Sequence, residues 1–212
     1  MYNKLKKILL IIIPEKLKRT LFVKRNEKIY LNWEKQGKPI PPPPIVKRKT
    51  IEYYKNKHKL HILIETGTYL GDTVWYHLNN FDEIYSIELS GELWKRATKR
   101  FKNSPHVKLL KGDSGIVLAS IIPKIKEKSL FWLDGHYSEG ITAKGDKETP
   151  IMNELNIIFE SDIKHVILID DARMFIGKHD YPTIKELSEY ILLKKPNSII
   201  EIENDIIRIE LK

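Results

Sequence analysis

The chain has 212 residues, enough for one domain with a full sheet core and an appendage. It contains no cysteine, which excludes disulfides, thiolate zinc sites and cysteine nucleophiles. Its net charge of +9 is uneven: residues 1–60 carry 17 Lys/Arg against 4 Asp/Glu and the remainder 20 against 24, so a strongly basic leader precedes a mildly acidic body.

In the leader, Lys4, Lys6 and Lys7 precede an apolar run from Ile8 to Ile13. That run is far shorter than the ~20 residues of a spanning helix. Pro14-Glu15-Lys16 offers no small-residue cleavage site, so a secretory signal is not expected. The expected element is an amphipathic helix over residues 2–24, lying on a membrane surface or packed on the domain. The basic charge fits anionic lipid or an acidic glycan as partner, and no nucleic-acid recognition motif accompanies it. The expected location is cytoplasmic, with peripheral contact at the inner membrane surface. Pro39-Ile40-Pro41-Pro42-Pro43-Pro44 is expected to be extended, because proline fixes φ and donates no hydrogen bond. It would separate a leader and linker, residues 1–44, from a catalytic domain over residues 45–212.

From His61 onward, strand and helix patterns alternate. Strands are predicted at 61–65, 84–88, 107–110, 129–134 and 165–170. Helices are predicted at 71–80, 90–102, 115–127, near 150–160 and at 182–193, the second opened by Ser90 as N-cap. Two alternating strands, 198–203 and 205–211, close the chain and meet at an Asn204-Asp205 hairpin turn. This order predicts an α/β fold: a Rossmann-like, seven-stranded, mostly parallel sheet with helices on both faces and a C-terminal antiparallel hairpin.

Four features carry chemistry. Gly67 and Gly71 bracket the first strand-to-helix turn, where glycine lets the backbone bend and approach a ligand, although a plain turn has the same look. Tyr69 stands where a dinucleotide fold has its second glycine, which disfavours NAD and FAD. Glu88 ends the second strand and can bind both hydroxyls of a ribose, or stand as an exposed strand-end carboxylate. Asp113 could accept a hydrogen bond from an adenine amino group or cap the helix that follows it.

The fourth feature is a cluster of acids. Two apolar strands end in acid, Phe131-Trp132-Leu133-Asp134 and Leu168-Ile169-Asp170-Asp171. Buried parallel strands open at their carboxyl ends, where α/β sheets place ligands, and three aspartates there can hold a hard divalent cation. Helix capping and surface solvation are the plain alternative, with Arg173 as a rival counter-cation through a salt bridge. His136 is a candidate general base or metal contact, or a plain loop histidine. Glycines around Ser138–Asp146 mark a candidate lid carrying Lys144. His165, Trp75 and Trp132 are read as structural.

The order of these features over roughly residues 60–212 resembles class I S-adenosylmethionine-dependent methyltransferases. Glu65-Thr66-Gly67-Thr68-Tyr69-Leu70-Gly71 is similar to their first motif, and Ile87-Glu88 to their ribose-binding acid. Within the class the chain most resembles the metal-dependent O-methyltransferases, the catechol and macrolide-sugar groups. The resemblance implies an enzyme using S-adenosylmethionine, bound by Glu65, Gly67, Thr68, Gly71, Glu88 and Asp113. It also implies Mg²⁺ or another divalent cation on Asp134, Asp170 and Asp171, with Asp134 and His136 catalytic. The catechol enzyme has a lysine shortly after its strand-four aspartate; here Tyr137 and Ser138 occupy that stretch, which argues against a catechol. The expected acceptor is a sugar or glycan hydroxyl. A different metal-dependent reaction on the same fold, a hydroxylase or hydrolase, is the alternative, as is a non-catalytic membrane-surface protein.

Overall fold

In the computed structural model of the protein, residues 15–135 and 149–212 are described. The chain divides into two compact units, Met1–Val46 and Lys47–Lys212. In the first, helix α1 spans Glu15–Lys35 and helix α2 (Pro44–His58) begins. Helix α1 runs past the expected end at residue 24. Asn26 and Trp33 are buried while Phe22 and Tyr30 are half-buried, so an inward face recurs at helical spacing through the second half of the helix. The Trp33 indole N–H donates to the Pro39 carbonyl (2.9 Å). Pro44 is not extended, contrary to expectation; it opens α2. At the first helical position its missing N–H has no partner to lose, and its fixed φ suits the turn.

The second unit is built on one seven-stranded sheet in the order β3-β2-β1-β4-β5-β7-β6. The strands are β1 (Ile62–Thr66), β2 (Glu83–Glu88), β3 (Val107–Lys111), β4 (Leu130–Leu133), β5 (Val166–Ile169), β6 (Ile199–Glu203) and β7 (Ile206–Glu210). Only β7 is antiparallel to its neighbours, β5 and β6. Asn204 and Asp205, both at positive φ, make the hairpin turn. The helices are α3 (Asp72–His77), α4 (Gly91–Arg100), α5 (Ser114–Ile121), α6 (Ile151–Phe159) and α7 (Ile184–Lys194). Ser90 caps α4 as expected, accepting from the Leu93 N–H.

Strand alternation sorts the core into two layers. Ile62, Ile64, Phe131, Leu133, Ile167 and Ile169 face one way, onto α5, α6 and α7. Leu63, Leu130, Trp132, Val166 and Leu168 face the other way, onto α3, α4 and Ile51 and Tyr54 of α2. Helix α2 departs from the sequence expectation, because its lysines read as part of the basic leader. Lys47, Ile51, Tyr54 and His58 nevertheless share one helix face by their 4-3-4 spacing.

The docking of α2 is fixed at its far end. Lys57 Nζ pairs with Glu210 Oε1 at 2.5 Å, and Glu210 lies opposite Val166, at the start of β5. From Lys57 back to Lys47 the helix rises about 15 Å. The four steps of β5 from Val166 to Asp170 cover about 13 Å. The two elements thus match in length, and Lys47 arrives at the carboxyl end of the strand.

Candidate active site

The chain leaves β1 outward to β2 and β3, then returns to the other side of β1 as β4. The crevice of such a sheet opens at this switch point, beyond the carboxyl ends of β1 and β4. Gly67 sits there at φ +84°, and a Cβ on it would stand 2.3 Å from the Asp134 carbonyl oxygen. Only glycine lets the first turn and the end of β4 come this close. The Asp134 N–H donates to the Thr66 carbonyl (3.1 Å), which fixes that end. Gly71, at φ +74°, closes the turn, its N–H donating to the Thr68 carbonyl (2.8 Å).

Glu88 holds the turn from the side. Its Oε2 accepts from the Tyr69 N–H (2.8 Å) and its Oε1 from the Ser90 N–H (2.8 Å). Tyr69 has φ +49°, an uncommon conformation for a bulky residue, and the Glu88 bond helps to retain it. Below the turn a polar chain is buried: Thr68 Oγ1 meets Ser86 Oγ (2.6 Å), and Ser86 donates to Glu65 Oε2 (2.5 Å). Burial, assisted by the Asp134 and Glu88 carboxylates and opposed by the Ser86 bond, pushes the Glu65 carboxyl up to about 8.

The three strand-end aspartates come together at the ends of β4 and β5, but with a lysine among them. Lys47 Nζ bonds Asp170 Oδ2 and lies 3.2 Å from Asp171 Oδ1. Asp171 Oδ1 also accepts from Arg173 Nη1 (2.9 Å), and Arg173 pairs in turn with Asp205. Asp170 Oδ1 accepts the Asp171 N–H (2.8 Å). Burial alone would pull the Lys47 ammonium down, but Asp170, Asp134 and Asp171 together hold it above the usual lysine value. Burial and then Asp134 push Asp170 upward from the carboxylate range, with Lys47 pulling it back. Among the described residues, no group of three or more His, Asp or Glu side chains is arranged as a metal-ligand set. At the expected divalent site, Asp170 and Asp171 are ion-paired with Lys47, and Asp171 also with Arg173. The sequence conceals this because Lys47 is over a hundred residues from its partners, in a basic stretch before the first predicted strand.

A second unforeseen group is Glu154. It is buried on α6, and its Oε1, with Thr66 Oγ1 and Ser114 Oγ, would stand 3.1–3.2 Å from a Cβ on Gly135. Burial pushes it up to about 7, against the Ser114 and Thr66 hydroxyls. Its spacing of three from Ile151 and four from Ile158 sets it on the apolar face of α6, a signal legible in the sequence. Asp113 caps α5: its Oδ1 accepts the Gly115 N–H (2.8 Å). His165 is fully buried at the start of β5, away from the crevice, its ring taking the Ser129 N–H (3.2 Å). Trp132 is in the core. His136 and Lys144 lie outside the described residues.

No protein-family model and no curated protein matches the sequence. The fold is shared with many solved methyltransferase structures. TomG from Streptomyces achromogenes, an O-methyltransferase of tomaymycin synthesis in complex with S-adenosylmethionine, aligns with TM-score 0.58 and 13% identity over 88% of each chain. Podospora anserina methyltransferase PaMTH1, bound to S-adenosylhomocysteine, aligns with TM-score 0.57 and 16% identity over 95% of this chain and 98% of that one. An O-methyltransferase from Bacillus cereus, in complex with S-adenosylhomocysteine, aligns with TM-score 0.56 and 13% identity over 98% and 96%.

Proposed function

We propose that this protein is an S-adenosylmethionine-dependent O-methyltransferase acting on a hydroxyl of a sugar or glycan. The observation that carries the reading is the Gly67–Gly71 turn at the switch point, clamped by the carboxylate of Glu88. The shared fold with methyltransferases solved with S-adenosylmethionine or its product supports the same cofactor.

In this reading Gly67, Thr68 and Gly71 line the cofactor with backbone, and Glu65 supports the turn from beneath. Glu88 accepts from the ribose hydroxyls through acceptor positions left over from its two N–H bonds, a carboxylate having about four. Asp113 accepts from the adenine amino group through the oxygen its cap does not use. Bound S-adenosylmethionine supplies a sulfonium methyl group. In this reading the cofactor's methyl group would pass to the acceptor oxygen, His136 would take the hydroxyl proton and Asp134 would orient the acceptor. Magnesium on Asp134, Asp170 and Asp171, which the resemblance implies, does not fit this donor set, because Lys47 already joins Asp170 to Asp171. The sugar acceptor rests on the resemblance to macrolide-sugar O-methyltransferases.

Isothermal titration of the full chain with S-adenosylhomocysteine is the direct test. Binding that stabilises the native state must also raise its melting temperature. No binding, in a protein that is folded by circular dichroism, would sink the reading.

For the basic leader we propose peripheral contact with anionic lipid. Its charge supports this, as do the exposed Leu17 and Leu21 of α1, 48% and 51% accessible. Among the described residues, no helix is long and apolar enough to cross a membrane.

A further inference from the structure

We propose that Lys47 is the resident cation of the acids at the ends of β4 and β5, its ammonium standing where the resemblance implies a divalent metal. What the cluster does for an acceptor rests on the methyltransferase reading; which group neutralises it does not.

The geometry argues it in three steps. First, Lys47 is brought to the cluster by construction. Ile51 and Tyr54, on its own face of α2, are buried in the same core layer as Val166 and Leu168, and Lys57 pins the other end of the helix to Glu210. Second, three of the four carboxylate oxygens of Asp170 and Asp171 already hold donors, and two of the three hold a cation. Asp170 Oδ2 takes Lys47, Asp170 Oδ1 takes the Asp171 N–H, and Asp171 Oδ1 takes both Lys47 and Arg173. A magnesium ion requires oxygens at about 2.0–2.1 Å in octahedral array, and these oxygens converge on an ammonium instead. Third, a divalent ion placed among them would meet the charges of Lys47 and Arg173 within a few ångströms, and at low effective dielectric that repulsion is severe. The carboxylates of Asp170 and Asp171 are nearly inaccessible, at 1% and 10% of their side-chain surface, so water screens little of it.

The arrangement follows from charge burial. A buried carboxylate that stays ionised needs a paired cation. A lysine carried in by the same chain is always present, so the site would need no metal from solution.

The test is Mn²⁺ binding to the full-length protein, read by electron paramagnetic resonance of the free ion and by calorimetry. The wild type should show no Mn²⁺ site that Asp170→Asn removes. Lys47→Met, which keeps the stem and deletes the charge, should gain one, at least about 100-fold tighter than wild type, because the like charge is gone. Adding Asp170→Asn to Lys47→Met should abolish the gain. A wild-type Mn²⁺ site lost on Asp170→Asn would overturn the proposal. So would a folded Lys47→Met that gains nothing. Should Lys47→Met fail to fold, Lys47→Gln, which retains a hydrogen-bond donor, takes its place: a gained site supports the proposal and no gain overturns it. Failure to bind S-adenosylhomocysteine would instead strike the methyltransferase reading and leave the metal result standing.

Discussion

The main-chain N–H of Tyr69 donates to the Glu88 carboxylate at 2.8 Å, joining the first turn to the end of the neighbouring strand. One acid therefore holds the turn in shape while keeping spare acceptor capacity. Glu88→Ala leaves the Tyr69 and Ser90 N–H groups without this partner and deletes the proposed ribose contact. The expected loss is about 1–3 kcal/mol of cofactor binding, roughly 5- to 150-fold in Kd. Titration with S-adenosylhomocysteine measures it, and unchanged affinity in a folded variant would remove Glu88 from the site.

Gly67→Ala should destabilise the protein strongly. The new Cβ would lie 2.3 Å from a backbone oxygen of Asp134, at a φ of +84° that alanine avoids. Backbone atoms cannot swing aside as side chains do, so the loss should exceed about 2 kcal/mol. Urea denaturation would read this as a lower midpoint with an unchanged slope.

Glu65 should contribute a loss of stability as pH rises from about 5 to about 8. Its carboxyl is pushed up to about 8 in the folded protein, from an ordinary value of 4.5. Between those values the folded state holds a proton that the unfolded state has released. Raising the pH therefore favours unfolding, by about 1.4 kcal/mol per pH unit for a fully displaced proton, and the effect ends above 8. Glu65→Gln keeps an acceptor for Ser86 and cannot ionise, so its melting temperature should depend less steeply on pH between 5 and 8. Parallel wild-type and variant profiles would refute the assignment.

His165 works in the opposite direction. Burial, with Lys128 and Lys195 nearby, pulls it down to about 4 from 6.5. The unfolded chain takes up the proton first, so stability should be lost as pH falls from 6.5 toward 4. His165→Asn should flatten the acid limb of the thermal profile, and an unaltered limb would show that other groups govern it.

Full-length protein should co-sediment with anionic vesicles at low salt and less so at high salt. Each Lys or Arg close to such a surface contributes about 1 kcal/mol, and salt shortens the reach of the charge. Neutral vesicles should retain much less. Equal retention by both would show that leader charge has no part in attachment.

Much of this protein is local and therefore legible in its sequence. Short apolar runs such as Val166–Ile169 and Leu130–Leu133 read as strands buried on both faces, and their alternation with helical patterns points to a parallel sheet. Gly67 and Gly71 announce the turn because backbone conformation is a property of a residue and its neighbours. Asn204 and Asp205 announce the hairpin for the same reason. The tertiary structure alone decided what surrounds the acids. A run of lysines looks alike whether solvated or paired, and Lys47 becomes the partner of Asp170 only when α2 lies along β5 and its length matches the strand. Glu154 likewise acquires its raised proton affinity from burial where α6 meets Ser114 of α5 and Thr66 of β1, since desolvation depends on what packs around a group, and sequence neighbours do not determine that.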